Sequence, residues 1–482
     1  MTGWEHKRIE DYLLKVPKSF WTLRRRSVKP FTKAMRGDHS SLHSKSAEKK
    51  RDPAKRPANF SIKTNEGGVH MRIKLSFTVF VAAVVMVSTL VLGSVSTSSG
   101  APATGEVMKI GLIHSLSGPF GMLTRYSIPA IQMVFDNVNA SGGLLGKQVQ
   151  LVVRDDQGNP SVVAQKLTEL KGEGCTIILG PFMGANGRPA MQWAGANKMP
   201  LITYASPSLS DRVNPVKYAF LTTPLWVAAA ETMYRGLLSQ PFKSYYYIGA
   251  DIANAHELYD YILAKMKKEH PEIVNLGDVW LGLSTMEFSN TISVALAKNP
   301  DVLISGHAGP GWAAFAQQGM KFNLFKKTRV AATYALESAV TAYFGKNYPE
   351  GIETTSWAPF WDKSKAMQDY VKDHQKVAEQ LYPADKGMEC YLGALALVAG
   401  VKKAGSVDPD ALTSALENLS FDTPLGTLHF DEYDHQLKIP IWWSISGYSK
   451  EYPIAVGVKN IKYGDDLYPT KQELQTLKAA GK

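Results

Sequence analysis

Apolar positions along this chain switch between two spacings. From Lys109 to His114 they form a short continuous run, and Ile128, Ile131, Met133 and Phe135 then recur among polar neighbours as on one helix face. The first run ends in Ser117-Gly118-Pro119, which interrupts the backbone. The helix stops at Asn139-Ala-Ser-Gly-Gly143, where glycine accepts the left-handed turn that closes a helix. A second run, Val149 to Arg154, completes a strand–helix–strand unit and therefore a parallel pair.

The alternation continues with a helix from Val162 to Gly172, a strand from Cys175 to Gly180 and a loop from Pro181 to Gly187. A helix to Asn197, a strand from Pro200 to Thr203, the loop Tyr204 to Ser208 and a strand from Tyr218 to Thr222 follow. A second series starts after Thr223-Pro224. It has helices at Trp226–Ser239 and Glu257–Glu269, and strands at Ser244–Gly249, Asn275–Val279, Asp301–Ser305, Val330–Thr333 and Glu353–Ala358. Helices at Glu389–Lys403 and Pro409–Leu419 come next, and Gly426–Phe430 and Ile439–Ile445 read as strands of a hairpin-like return. Two successive series predict two lobes, each a doubly wound sheet with its ligand loops outside the carboxyl ends of the strands. Those loops are rich in small neutral residues, which suits holding a small molecule more than transforming it.

Charge is distributed unevenly, and this changes the picture of the partners. The formal net charge is +11, but the first 103 residues carry 19 of the 54 basic groups and only 7 of the 43 acidic ones. The remainder holds 35 basic against 36 acidic groups, so it lacks the basic footprint of a nucleic-acid reader. Residues 1–70 have no sustained apolar period and read as a basic, disordered extension. From Met71 the chain reads as an export signal: Arg72 and Lys74, an apolar run from Leu75 to Leu92, then small residues to Ala101-Pro102-Ala103. The favoured reading is a signal peptide over residues 71–103, cut near Ala103, with translation starting at Met71. The alternative is an uncut membrane anchor over residues 75–92 with the basic segment inside the cytoplasm.

Candidate chemistry is sparse. Cys175 and Cys390 both lie in apolar settings, either paired in an oxidising compartment or buried as small thiols. No dinucleotide fingerprint, P-loop, zincin helix or nucleophile elbow occurs, so no catalytic residue is assigned. Asp155-Asp156 reads as a strand-end turn capping the next helix rather than an acid–base pair. His429-Phe-Asp-Glu-Tyr-Asp-His435 has metal-ligand residue types, but side chains along a strand and loop alternate in direction, so no metal is assigned. His256 reads as solvent-facing, and Trp357, Trp361, Trp442 and Trp443 as core or hinge packing.

Several motifs occur together in the order and spacing of a known family: Ser117-Gly-Pro119, Asn139-x-x-Gly-Gly-Leu-Leu-Gly146, Arg154-Asp-Asp156, Leu179-Gly-Pro181 and Ile202-Thr-Tyr-Ala-Ser206. Over about residues 107–465 the chain resembles the type I periplasmic solute-binding proteins of ABC transporters, in the branched-chain amino acid (Leu/Ile/Val-binding) branch. The resemblance implies an α/β fold of two Rossmann-like lobes joined by three crossovers, near Thr222–Pro224, Ser356–Pro359 and Phe430–Asp434. The N-terminal lobe would then comprise residues 104–224 and 356–432, and the C-terminal lobe residues 225–355 and 433–482. It further implies a periplasmic clamp that closes by hinge motion on a small solute and docks on ABC permease subunits. Nothing in the sequence asks for a cofactor or an oligomer. A membrane-anchored sensor with the same clamp, or an exported enzyme, stands as the alternative.

By the same resemblance, Gly184, Ala185, Ala205 and Ser206 hold the solute's carboxylate in the first lobe. Asn186 is an adjacent donor, and Phe120 or Met122 forms a wall. In the second lobe Asn254 stands where the family places an aromatic hydroxyl, and Tyr334 where it places an acid. Glu337 lies three residues further on. His307, between glycines, is either a cleft donor or a residue of a strand-end loop whose orientation the sequence leaves open. A buried ammonium needs a charged partner, so this departure favours an aromatic or aliphatic carboxylic acid, or an amide, over an α-amino acid.

Overall fold

The computed structural model describes residues 105–117, 121, 124–205, 208–379 and 381–481. The basic extension, the export signal and the candidates Phe120, Met122 and Ser206 lie outside these residues. The first third of the described chain alternates strictly: β1 (Val107–His114), α1 (Thr124–Ala140), β2 (Gln148–Asp155), α2 (Val163–Gly172), β3 (Ile177–Leu179), α3 (Gly184–Asn197), β4 (Leu201–Thr203), α4 (Leu209–Val213) and β5 (Ala219–Leu221). The five strands form one parallel sheet in the order β2-β1-β3-β4-β5. Even-numbered residues of β1 (Ile110, Leu112) join the core shared with α1, while Ile113 faces the α2–α3 side with Val163 and Leu170. β3, β4 and β5 are buried throughout and β1 nearly so, as continuous apolar runs require, while the edge strand β2 is half-buried with Gln150 exposed.

A second sheet follows, built from α5 (Trp226–Leu237), β6 (Ser244–Ala250), α6 (Ala253–Glu269), β7 (Val274–Leu281), α7 (Ser289–Ala297), β8 (Val302–Ser305), α8 (Gly309–Lys321), α9 (Leu324–Lys327), β9 (Arg329–Thr333), α10 (Ser338–Phe344) and β10 (Glu353–Ser356). The chain then returns to the first sheet. α11 (Lys365–Val377) and α12 (Asp385–Ala404) pack on α1, α13 (Pro409–Leu416) packs on α12, and β11 (Ser420–Thr423) pairs with β12 (Gly426–His429). It crosses back once more to add β13 (Ile441–Gly447), antiparallel to β10, and β14 (Val456–Tyr463) at the edge. The second sheet therefore runs β14-β13-β10-β9-β8-β6-β7. The last helix, α14 (Lys471–Ala479), packs on α4 of the first lobe.

The fold is the two-lobed α/β arrangement expected, with the chain passing between sheets three times. One strand reading is corrected. Gly426–Phe430 and Ile439–Ile445 do not form a hairpin, because β12 and β13 sit in different sheets and take β11 and β10 as partners. The passage between them is long: Gln436 bridges to Leu221, and Leu437 to Phe430, before β13 begins. The two cysteines do not pair. Cys175 and Cys390 are free, buried and in separate apolar clusters. Close approach governs the packing of α5 on β13, since a Cβ at Gly236 would lie 2.1 Å from the Trp443 ring. No single helix among the described residues is long and apolar enough to cross a membrane.

Candidate functional site

The carboxyl ends of both sheets carry the unusual features of this molecule. In the first lobe, Asp155 and Asp156 at the end of β2 hold the loop after β1. Asp155 accepts hydrogen bonds from the Leu116 amide (2.9 Å) and the Ser117 hydroxyl (2.6 Å), and Asp156 from the Ser115 hydroxyl (2.6 Å). Burial pushes the Asp155 carboxyl up, but its hydrogen bonds outweigh burial and hold it below the usual range. The two acids are thus a turn brace. The following helical turn is capped instead by Asn159, whose side chain accepts from the Ser161 amide.

After β3, Gly180 takes a positive φ of 88° with its α-carbon so close to the Ile113 carbonyl that no side chain fits. This places Pro181, Phe182 and Met183 over the end of β1 and starts α3 at Gly184, earlier than the sequence indicates. Gly184, Ala185 and Asn186 are therefore the first turn of a helix rather than a loop. Met183 offers no side-chain cap, and the amides of Gly184 and Ala185 meet no acceptor among the described residues. An uncapped helix start presents N–H groups and a partial positive charge to any anion in front of it. Asn186 is fully buried, and neither its oxygen nor its nitrogen is hydrogen-bonded. The Ala205 amide, by contrast, is already donated to Thr203 Oγ1 at 3.1 Å.

The same absence of caps recurs around the strand ends of the second lobe. α6, α8 and α10 open without a side-chain cap at Ile252, Ala308 and Glu337. Away from the strand ends, α11, α13 and α14 are capped by Ser364, Asp408 and Thr470. Ser, Thr and Asp caps contribute about 1 kcal/mol each. Asn254 is half-buried in the first turn of α6, and His256, two residues on, stacks on Trp280 (3.6 Å) and bonds Asp251 (2.9 Å). His307, after β8, is buried with both ring nitrogens unpartnered, its ring edge-on to Phe288. His114, which sequence reasoning passed over as the end of an apolar strand, has the same environment after β1, edge-on to Phe182. Burial lowers both imidazoles to about 4, so both are neutral donors and acceptors.

Between the lobes a chain of contacts runs from one sheet to the other. Tyr334, after β9, takes a positive φ of 56° and lies edge-on to Trp226 (5.9 Å) and Trp357 (4.7 Å). Trp357 Nε1 donates to Glu389 at 3.0 Å, Lys386 spans both oxygens of Glu389 (3.0 and 2.9 Å), and the Lys386 ammonium lies 5.3 Å from the Phe182 ring. Burial raises Glu389 to about 7 in spite of Lys386. Glu337, three residues past Tyr334, is 5% exposed and accepts the Asp385 amide at 3.1 Å. Asp385 in turn accepts from Ser356 Oγ (2.9 Å) and the amides of Trp357 (2.9 Å) and Ala358 (2.6 Å), which fixes the second crossover to α12. Burial, and then the charge of Asp385, push the Glu337 carboxyl well above its ordinary range, so Glu337 carries the proton of this pair. The second lobe therefore does possess an acid beside Tyr334, which the sequence left open. Asp385, Lys386 and Glu389 had no sequence signal, because α12 reads as a core helix.

Two other features do not belong to this site. One groove lies against the amino ends of β6, β8 and β9, among Lys243, Phe325, Lys327 and Arg329, with Arg329 paired to Glu353. The His429–His435 run is taken apart: His435 stacks on Phe220 (4.2 Å) and His429 reaches Asp465 (3.8 Å). Among the described residues no three His, Cys, Asp or Glu side chains gather to hold a metal.

The profile of a family described as periplasmic binding protein matches residues 107–443. A leucine-, isoleucine-, valine-, threonine- and alanine-binding protein of Pseudomonas aeruginosa is 23% identical over 334 residues, 68% of this chain and 86% of that one. The Leu/Ile/Val-binding protein of Escherichia coli is 21% identical over 350 residues, 71% and 92%. Among solved structures, a solute-binding protein of an ABC transporter from Rhodopseudomonas palustris, in complex with 3,4-dihydroxybenzoic acid, superposes with a TM-score of 0.67 at 16% identity, covering 74% of this chain and 98% of that one. An amino acid ABC transporter substrate-binding protein from Pseudomonas fluorescens gives 0.67 at 18% identity, covering 75% and 98%.

Proposed function

The chain belongs to the periplasmic binding protein family, and on that premise we propose that it is the solute receptor of an ABC uptake transporter, closing on a small amino acid. The observation that carries this reading is a pair of opposite polar ends. The uncapped start of α3 at Gly184 and Ala185, with buried Asn186 beside it, suits a carboxylate. Buried Glu337 beside Asp385 suits an ammonium, which would take the place of the shared proton. Tyr334, Trp226 and Trp357 supply apolar wall between them. The neutral side chains Asn254 and His307 leave a second reading, a benzoate-like acid, and the relatives' printed ligands include both kinds. Delivery to permease subunits, export through the segment at residues 71–103 and a monomeric state complete the proposal.

A thermal-shift series tests it, since a ligand that binds only the native state raises the melting temperature by mass action. L-leucine, L-valine, L-alanine, benzoate, 4-hydroxybenzoate and benzamide are the probes. A shift with the amino acids and none with benzamide is expected. A shift with benzoates alone moves the assignment to aromatic acids, and turnover of any bound probe replaces the receptor by an enzyme.

A further inference from the structure

Helix α4 has only five residues, yet it touches α3, α6, α14 and the third crossover. It belongs to the first lobe, between β4 and β5. Its first amide, of Leu209, donates to Glu257 Oε1 at 3.0 Å, and Glu257 lies on α6 of the second lobe. Its own acid, Asp211, accepts the Ser208 amide (3.2 Å) and forms an ion pair with Arg188 of α3. Arg188 also donates to Ser210 Oγ at 3.3 Å, so α4 is fastened to the helix whose start faces the solute.

Arg212 ties the other end. It is fully buried, and Nη1 donates to the Asp434 carbonyl at 2.6 Å in the third crossover, while Nη2 reaches Met191 Sδ of α3 at 3.4 Å. α14 covers the outer side of α4 and reaches the same crossover, with Lys471 over the Tyr433 ring. Arg188 and Arg212 thus hold α4 to α3 and to the third crossover. The bond from Glu257 is different: it joins helices of different lobes and exists only while they are together.

We propose that Glu257 is an affinity-determining residue outside the solute site, acting as the latch of lobe closure by accepting the first amide of α4 across the cleft. It touches no solute and works through the closed state alone, so it tightens the grip on whichever solute fits. A hydrogen bond of ordinary net strength at a half-buried site changes the closed-to-open ratio by about threefold to tenfold.

The test uses the full chain without added solute. Spin labels on cysteines introduced at Ala164 and Asn290, exposed positions on α2 and α7, report the distance between lobes; the native cysteines are buried. The expected result is a short-distance population in the wild type, lowered about threefold to tenfold in Glu257→Ala and largely restored in Glu257→Gln, which keeps the carbonyl acceptor. The melting temperature should be the same in all three, because the bond lies between lobes rather than within one. An unchanged population in Glu257→Ala overturns the latch. So does a Glu257→Gln protein that behaves like the alanine variant, or a wild type with no short-distance population.

Discussion

Glu389 offers a direct measurement of how the interlobe network is charged. Its side chain is completely buried, between the Trp357 indole and the Lys386 ammonium, and its carboxyl is raised to about 7. An unfolded glutamate titrates near 4.5. The folded protein therefore binds a proton at Glu389 that the unfolded chain has already released. Stability from this group is fully present below pH 4.5 or so and is lost as pH rises toward 7, after which the loss stays constant. A displacement of about 2.5 units corresponds to about 3 kcal/mol. Glu389→Gln keeps the shape and an acceptor for Trp357 but does not titrate. Urea unfolding of both proteins from pH 4.5 to 8.5 gives the difference in stability, in which the titrations of Glu337 and Asp385 cancel to first order. The variant should gain about 3 kcal/mol on the wild type between pH 4.5 and 7 and none beyond. A flat difference would refute the account of a buried, hard-to-ionise carboxyl. A difference running the other way would mean that attraction to Lys386 outweighs burial.

Three further outcomes follow from the geometry. Asn186→Asp places a negative charge in the first turn of α3, and should weaken binding of any carboxylate probe at least tenfold in calorimetry without lowering the melting temperature by more than a few degrees. Gly236→Ala forces a methyl into the Trp443 ring and should cost about 1–3 kcal/mol of stability, read by urea unfolding, with solute binding intact. Dithiothreitol should leave the melting temperature unchanged, because the two cysteines are free and remote from each other in the core.

Most strands of the first sheet were legible because they are continuous apolar runs buried on both faces, as at Ile177–Leu179 and Leu201–Thr203. β11 and β14 were not. Ser420-Phe-Asp-Thr423 is short and half polar, and Val456–Tyr463 is an edge strand whose middle residues are exposed, so neither carries a clear alternation. The same limits applied to the site. The start of α3 was hidden by Gly-Ala-Asn-Gly, a poor helix-forming run that folds because α3 packs on its sheet. Glu337 was visible as an acid, but its meaning depends on Asp385, which is 48 positions away and reaches it only after a change of lobe. His114 had a signal that was available and unused: a histidine ending an apolar strand just before a glycine–proline loop.

The route of the chain also has a consequence for how the molecule is made. The face of the first sheet that bears Ile110, Leu112 and Ile202 is finished only when α12 packs on α1, and α12 starts at Asp385, long after β5 ends at Leu221. A polypeptide emerging amino end first must therefore keep that oily face uncovered while the whole intervening lobe is still being threaded out. Half-delivered chains are the vulnerable species, and neither half can be severed and expected to mature alone.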